Sequence, residues 1–224
     1  MKKVLVISPH PDDETLGAGG TLLKHKSQGD KIYWCIVTTI KSGYKGWNLG
    51  FSKDAVKKRD KEIEQVAKMY NFDDVFRLEF PTMRLDEVNM SELINAFSNV
   101  INKVKPNIIY IPFYGDAHSD HRIVFDALRP FFKSFRYPFV KKILMMEIIS
   151  ETDSQFREIF NPNVFVDISD FLERKIEIMK IYKSEVGEHP FPRNEQNIRS
   201  LACYRGSQCN CRYAESFMLL KEIT

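Results

Sequence analysis

Apolar positions along this chain recur with two alternating periods, and the alternation predicts the fold. Lys2 to Ser8 is a short β-branched run that ends at a proline, and Leu16, Gly19, Gly20 and Leu23 then recur at helical spacing within Thr15 to Gln28. The theme repeats with strands at Lys31 to Thr38, Val75 to Phe80 and Asn107 to Ile111, and helices at Ser52 to Tyr70, Met90 to Val104 and Arg122 to Lys133. Beyond these the spacing predicts strands at Lys141 to Ile149 and Val164 to Ile168, a helix from Asp170 to Lys183, and a less periodic tail.

Strands that alternate with helices imply a parallel sheet, and continuously apolar strands such as Ile108 to Ile111 suit a sheet covered on both faces. The expected fold class is therefore α/β, a Rossmann-like, mostly parallel sheet with helices on both faces and a mixed C-terminal third. The 224 residues hold no interior low-complexity run, so one domain over residues 1–224 is expected.

Charge changes this picture little. Thirty-three basic and 30 acidic residues leave a net +3, too small to argue for a nucleic-acid or membrane surface. The apolar run Val4 to Ile7 is too short for a signal segment and no stretch could cross a bilayer, so a cytoplasmic protein is expected. Cys203, Cys209 and Cys211 lack the paired spacing of a zinc knuckle and read as free thiols.

The candidate chemistry lies in two clusters, PHPDDE at Pro9 to Glu14 and HSDH at His118 to His121, each in a loop that follows a predicted strand. Open α/β sheets bind ligands at the carboxyl ends of their strands, so the two loops can meet. Two imidazoles and a carboxylate with an open fourth position suit a catalytic zinc, which points to His10, Asp13 and His121 as ligands. Asp12 is then the nearest free carboxylate and the candidate general base. His118 fits a cationic donor to the developing oxyanion, with Asp120 expected to orient its ring and raise its pKa. Either cluster alone has a bland reading, since paired aspartates before a helix often cap it and a histidine beside a proline is often a loop residue. Together they are stronger, because only His25 and His189 of the five histidines lie elsewhere.

At these residues the chain resembles the PIG-L or LmbE-like N-deacetylases. The resemblance extends to Arg59 and Glu62, to FPTMRLD at Phe80 to Asp86 and to RYAESF at Arg212 to Phe217. It implies a Rossmann-like sheet, one zinc per chain held by His10, Asp13 and His121, Asp12 as base and His118 as oxyanion stabiliser or acid. It also implies a small-molecule substrate carrying an N-acetylated amino sugar, without naming the attached group, and a substrate contact at Arg59. Some members carry a tyrosine where this chain has Asp116.

Several features keep two readings open. Arg59 either meets substrate or pairs with Glu62 or Asp60. GAGG at Gly17 to Gly20 lies inside the helical pattern, which favours close packing on the sheet over a phosphate loop. Ser42 to Phe51 reads equally as an aromatic wall over a sugar or as a surface loop. Phe131 to Phe139 reads as core or as the interface of a homo-oligomer. Among competing functions, an iron(II) oxygenase using His10 and Asp12 would require an all-β jelly roll. A non-catalytic carbohydrate- or nucleotide-binding module on the same fold would need neither Asp12 nor His118.

Overall fold

A computed structural model of the chain describes every residue except 43, 44, 47, 48 and 157, together with all side chains but those of residues 43–50 and 157. Its main sheet contains β1 (Lys3–Ser8), β2 (Lys31–Thr39), β3 (Asp74–Pro81), β4 (Ile108–Ile111), β5 (Lys142–Met146), β6 (Val164–Asp167) and β7 (Ala214–Glu222). The helices are α1 (Asp13–Ser27), α2 (Lys53–Tyr70), α3 (Met90–Val104), α4 (Ser119–Leu128), α5 (Leu172–Met179) and α6 (Glu195–Ser207).

The strands lie in the order β3-β2-β1-β4-β5-β7-β6. Neighbours run parallel from β3 to β5, whereas β7 is antiparallel to both β5 and β6. The fold is thus α/β with a mixed C-terminal third. Alternate residues of β1 serve opposite cores. Val4 and Val6 pack with Leu16, Leu22 and Val66 on one face, while Leu5 and Ile7 pack with Phe97, Val124 and Leu128 on the other.

Local chemistry sets the helix ends. The Ser52 and Asn89 side chains accept backbone N–H groups of Ala55 and Ser91 at the starts of α2 and α3. The expected helix to Lys133 instead ends at Leu128, because Pro130 has no N–H to continue the ladder and disfavours helix at the residue before it, and Arg129–Phe132 tighten into a 3-10 turn. The stripe that α4 buries is accordingly His121, Val124 and Leu128, while Phe125 and Phe132 are only partly covered. Two other expectations are shortened, the strand after Lys141 stopping at Met146 and the helix after Asp170 spanning only α5. The tail holds α6 and the nine-residue β7, inserted between β5 and β6.

GAGG sits within α1 against the sheet: a Cβ on Gly17 would lie 2.8 Å from that of Met146, and one on Gly20 would meet three atoms of Ile168 at 2.8 Å. Of Phe131 to Phe139, Phe131 is buried while Phe135 is 79% exposed. In Ser42 to Phe51, Tyr44 and Trp47 lie outside the described residues, and Lys45–Gly46 pairs antiparallel with Leu49–Gly50. Among the described residues no helix is long and apolar enough to cross a membrane.

Candidate metal centre and active-site cleft

The strand order reverses direction between β1 and β4, and the two sequence clusters leave the carboxyl ends of these adjacent strands. There His10 Nδ1, Asp13 Oδ2 and His121 Nε2 converge. His10 Nδ1 lies 3.5 Å from Asp13 Oδ2 and 3.3 Å from His121 Nε2, and the latter is 3.4 Å from Asp13 Oδ2. Ligand atoms roughly 2.0–2.1 Å from a tetrahedral ion stand about 3.3–3.4 Å apart, so the triangle has the size a zinc-like ion requires.

Each imidazole is held from behind by a second carboxylate. His10 Nε2 is 3.0 Å from Asp120 Oδ2, and His121 Nδ1 is 2.8 Å from Asp116 Oδ2. Thr152 Oγ1 donates to the other Asp116 oxygen at 2.6 Å, and the Met83 and Leu85 backbone N–H groups donate to Asp120 at 2.7 and 3.3 Å. Backing of this kind sets the tautomer and the aim of a ligating ring. His10, His118 and Asp120 form a second grouping of suitable spacing, but the Asp120 carboxylate there is already engaged by His10 and two backbone donors.

The electrostatics also call for a cation at the centre of the triangle. Burial opposes charge on His10, yet the Asp120 and Asp13 carboxylates outweigh it and push the imidazole up to about 9. His121 is likewise raised against its burial by Asp13 and Asp116, while Asp13, despite burial, is held well below the usual carboxylate range by the His121 and His10 rings. The three groups thus favour positive charge on the imidazoles and negative charge on the carboxylate between them.

Asp12 starts α1 at φ 139° and ψ −26°, a left-handed conformation that costs a non-glycine residue about 1–3 kcal/mol. Its backbone N–H donates to Glu14 Oε2 at 3.0 Å, and its carbonyl receives the N–H groups of Thr15 and Leu16. Arg193 Nη1 donates to Asp12 Oδ2 at 2.8 Å. Burial, then the Asp13 charge, push the Asp12 carboxyl well above the usual range, and Arg193 only partly offsets them. A carboxylate raised in this way holds a proton more readily than a free one.

His118 differs from expectation in two respects. It caps α4, with Nδ1 accepting the Asp120 backbone N–H at 3.1 Å, so the proton of the neutral ring sits on Nε2. Burial, followed by the charges of His10 and His121, pushes it down to about 4. These influences favour the neutral form of the ring. The Asp120 carboxylate turns away to His10, because in the first turn of α4 it faces the Met83 and Leu85 amides.

His10, Asp12, Asp13, His118 and Arg193 line a cleft of about 390 Å³, together with Thr38, Lys58, Glu62 and Phe51, with His121, Asp116 and Asp120 fully buried. Arg59 also lines it, with Nη1 donating to the Pro11 carbonyl at 3.0 Å and Nη2 to Ser184 Oγ at 2.8 Å, and it pairs with Glu185 and, at 3.4 Å, with Glu62. Asp60 takes Arg77 instead. Arg59 thus braces the PHPDDE loop from the cleft side. Sequence reasoning missed Arg193, Glu185 and Glu151, which come from aperiodic segments with no motif around them. It noted Asp116 only as a departure from a family tyrosine, although its place five residues before His121 puts it within reach of that ring.

Over its whole length the chain is 30% identical to the diacetylchitobiose deacetylase of Thermococcus kodakarensis, of which it covers 85%. It shares its fold with the N,N'-diacetylchitobiose deacetylase of Pyrococcus horikoshii in complex with an inhibitor (TM-score 0.76, 24% identity, covering 98% of this chain and 84% of that one). The same fold serves the 4-carboxy-2-hydroxymuconate hydratase of Pseudomonas putida (TM-score 0.76, 17% identity, covering 100% of this chain and 98% of that one), so fold alone does not name the reaction. The family model for GlcNAc-PI de-N-acetylase matches residues 5–132, which contain both clusters, and the chain belongs to this PIG-L family.

Proposed function

We propose that this protein is a zinc-dependent hydrolase that removes the N-acetyl group from an N-acetylated amino-sugar conjugate of the N-acetylglucosamine type. The observation that carries the reading is the convergence of His10 Nδ1, Asp13 Oδ2 and His121 Nε2 beside Asp12, a buried carboxylate tuned to take a proton. The diacetylchitobiose deacetylase relative supports the sugar class.

His10, Asp13 and His121 would hold the ion, which when bound polarises an amide carbonyl and brings the pKa of a water toward about 7. Asp12 accepts the proton of the attacking water and returns it to the departing amine nitrogen. Arg193, bonded to Asp12 Oδ2, keeps that carboxylate aimed into the cleft. His118 donates its Nε2–H to the amide oxygen as negative charge grows there, acting as a neutral donor. Asp120 orients His10 and Asp116 orients His121. Arg59, on the cleft wall, is the candidate contact for sugar oxygens. A non-catalytic binding module would leave the strained backbone of Asp12 and its pairing with Arg193 without a use.

The test is to purify the protein without added metal, measure bound metal by elemental analysis, and follow amine release from N,N'-diacetylchitobiose and other N-acetylglucosamine conjugates. About one zinc per chain is expected, with kcat lowered roughly 10²–10⁴-fold in Asp12→Asn while the zinc is retained. A metal-free protein inert toward every conjugate would overturn the proposal.

A further inference from the structure

The turn that leaves α6 brings two thiols together outside the cleft and shares no residue with its lining. Cys209 and Cys211 flank Asn210, whose φ of 57° is left-handed, and their Sγ atoms lie 3.3 Å apart. The backbone builds this approach. The N–H groups of Cys209 and Cys211 both donate to the Gly206 carbonyl, each at 3.1 Å. A Cβ on residue 206 would stand 2.6 Å from the Cys211 carbonyl oxygen, so the turn can fold back onto the end of α6 only with glycine there. Asparagine is among the few side-chain-bearing residues that tolerate the left-handed conformation at position 210. All four cysteines are free, with Cys203 and Cys209 exposed, Cys211 partly covered and Cys35 buried in the core.

We propose that Cys209 and Cys211 form a preorganised dithiol that closes reversibly to an intramolecular disulfide by exchange with a low-molecular-weight disulfide such as glutathione disulfide. The exposed Cys209 thiolate attacks one sulfur of glutathione disulfide, breaking its S–S bond and releasing one glutathione. Cys211 then loses its proton to solvent and attacks the Cys209 sulfur, releasing the second glutathione. Two cysteines are oxidised by two electrons and one glutathione disulfide is reduced to two thiols. Closure needs the sulfurs to approach by only about 1.3 Å, given a bond of ~2.05 Å. The order of attack follows from exposure. Burial, then the hydrogen bond and charge of Cys209, push the Cys211 thiol up to about 12, and the contributions from Cys209 vanish once its sulfur is bound to glutathione.

Trypsin separates the relevant thiols, since cleavage after Arg205 and Arg212 leaves Cys209 and Cys211 on one peptide and Cys203 on another. The full-length protein is treated with excess glutathione disulfide, quenched with acid and mapped by mass spectrometry. The peptide from Gly206 to Arg212 is expected to lose about 2 Da and to recover it in dithiothreitol, whereas Cys203 carries only a glutathione adduct. In Cys211→Ser the adduct should remain trapped on Cys209, and Cys203→Ser should close as the wild type does. A wild-type protein that retains glutathione on Cys209 without closing, or that links Cys203 to either thiol instead, would overturn the proposal. The deacetylase reading does not enter this outcome.

Discussion

Asp120 Oδ2 lies 3.0 Å from Nε2 of His10, the ring nitrogen opposite the one that faces Asp13 and His121. The carboxylate therefore acts on the metal triangle through His10, while the backbone N–H of Asp120 donates to His118 Nδ1. Asp120→Asn keeps an acceptor but loses the charge. We expect zinc affinity, read by chelator competition, to fall about 10–100-fold, with a smaller change in kcat once the site is saturated. Unchanged affinity would show that Asp120 does not support the ligand.

Arg193 and Asp12 form the second coupled pair. The guanidinium lowers a carboxyl that burial and Asp13 otherwise raise, so its removal lets the Asp12 pKa rise further. Arg193→Met should move the acidic limb of the kcat/KM profile to higher pH, because a base with a higher pKa is protonated over more of the acidic range. An unmoved limb in an active variant would exclude Asp12 as the titrating base.

Asp30 provides a stability test remote from the cleft. Burial disfavours its charge, but the Lys2 N–H at 2.6 Å and the His25 ring at 2.9 Å prevail, and the folded carboxyl titrates below the ordinary 3.8. A depressed pKa stabilises the fold above the unfolded value, and that contribution is lost as pH falls through the folded one. Asp30→Asn should cost about 1–3 kcal/mol at pH 7 in denaturant unfolding and progressively less below about pH 4. An equal cost at pH 7 and pH 3 would remove charge from the explanation.

Close packing of α1 on the sheet predicts the effect of Gly20→Ala. Its Cβ would press on Ile168 at 2.8 Å, an overpacking worth about 1–3 kcal/mol and a fall in Tm of roughly 2–10 °C. Ile168→Val in the same background should recover part of the loss. Additive losses would show that the two positions are not in conflict.

Much of the frame was legible in the sequence because its signals are local. The period of apolar residues marks β1 to β4 and α1 to α3 within a few residues, since each buries a stripe or face of its own. The two loops stood out because a proline-bounded turn and a helix start concentrate His and Asp within a few positions. The helix expected to reach Lys133 ends at Leu128 because Pro130 interrupts the backbone ladder, whatever apolar residues follow it.

What only the tertiary structure decided is a matter of separation along the chain. β7 lies between β5 and β6, and its burial runs continuously through Ala214 to Phe217 before fading, so no alternation marks it as an interior strand. His10 meets Asp120 across 110 residues and Asp12 meets Arg193 across 181. Which carboxylate serves which imidazole, and which arginine answers a buried aspartate, depends on where the strands end in space. The residue types and their local spacing were written in the sequence, while their pairing, and with it their protonation, came from packing that no local period encodes.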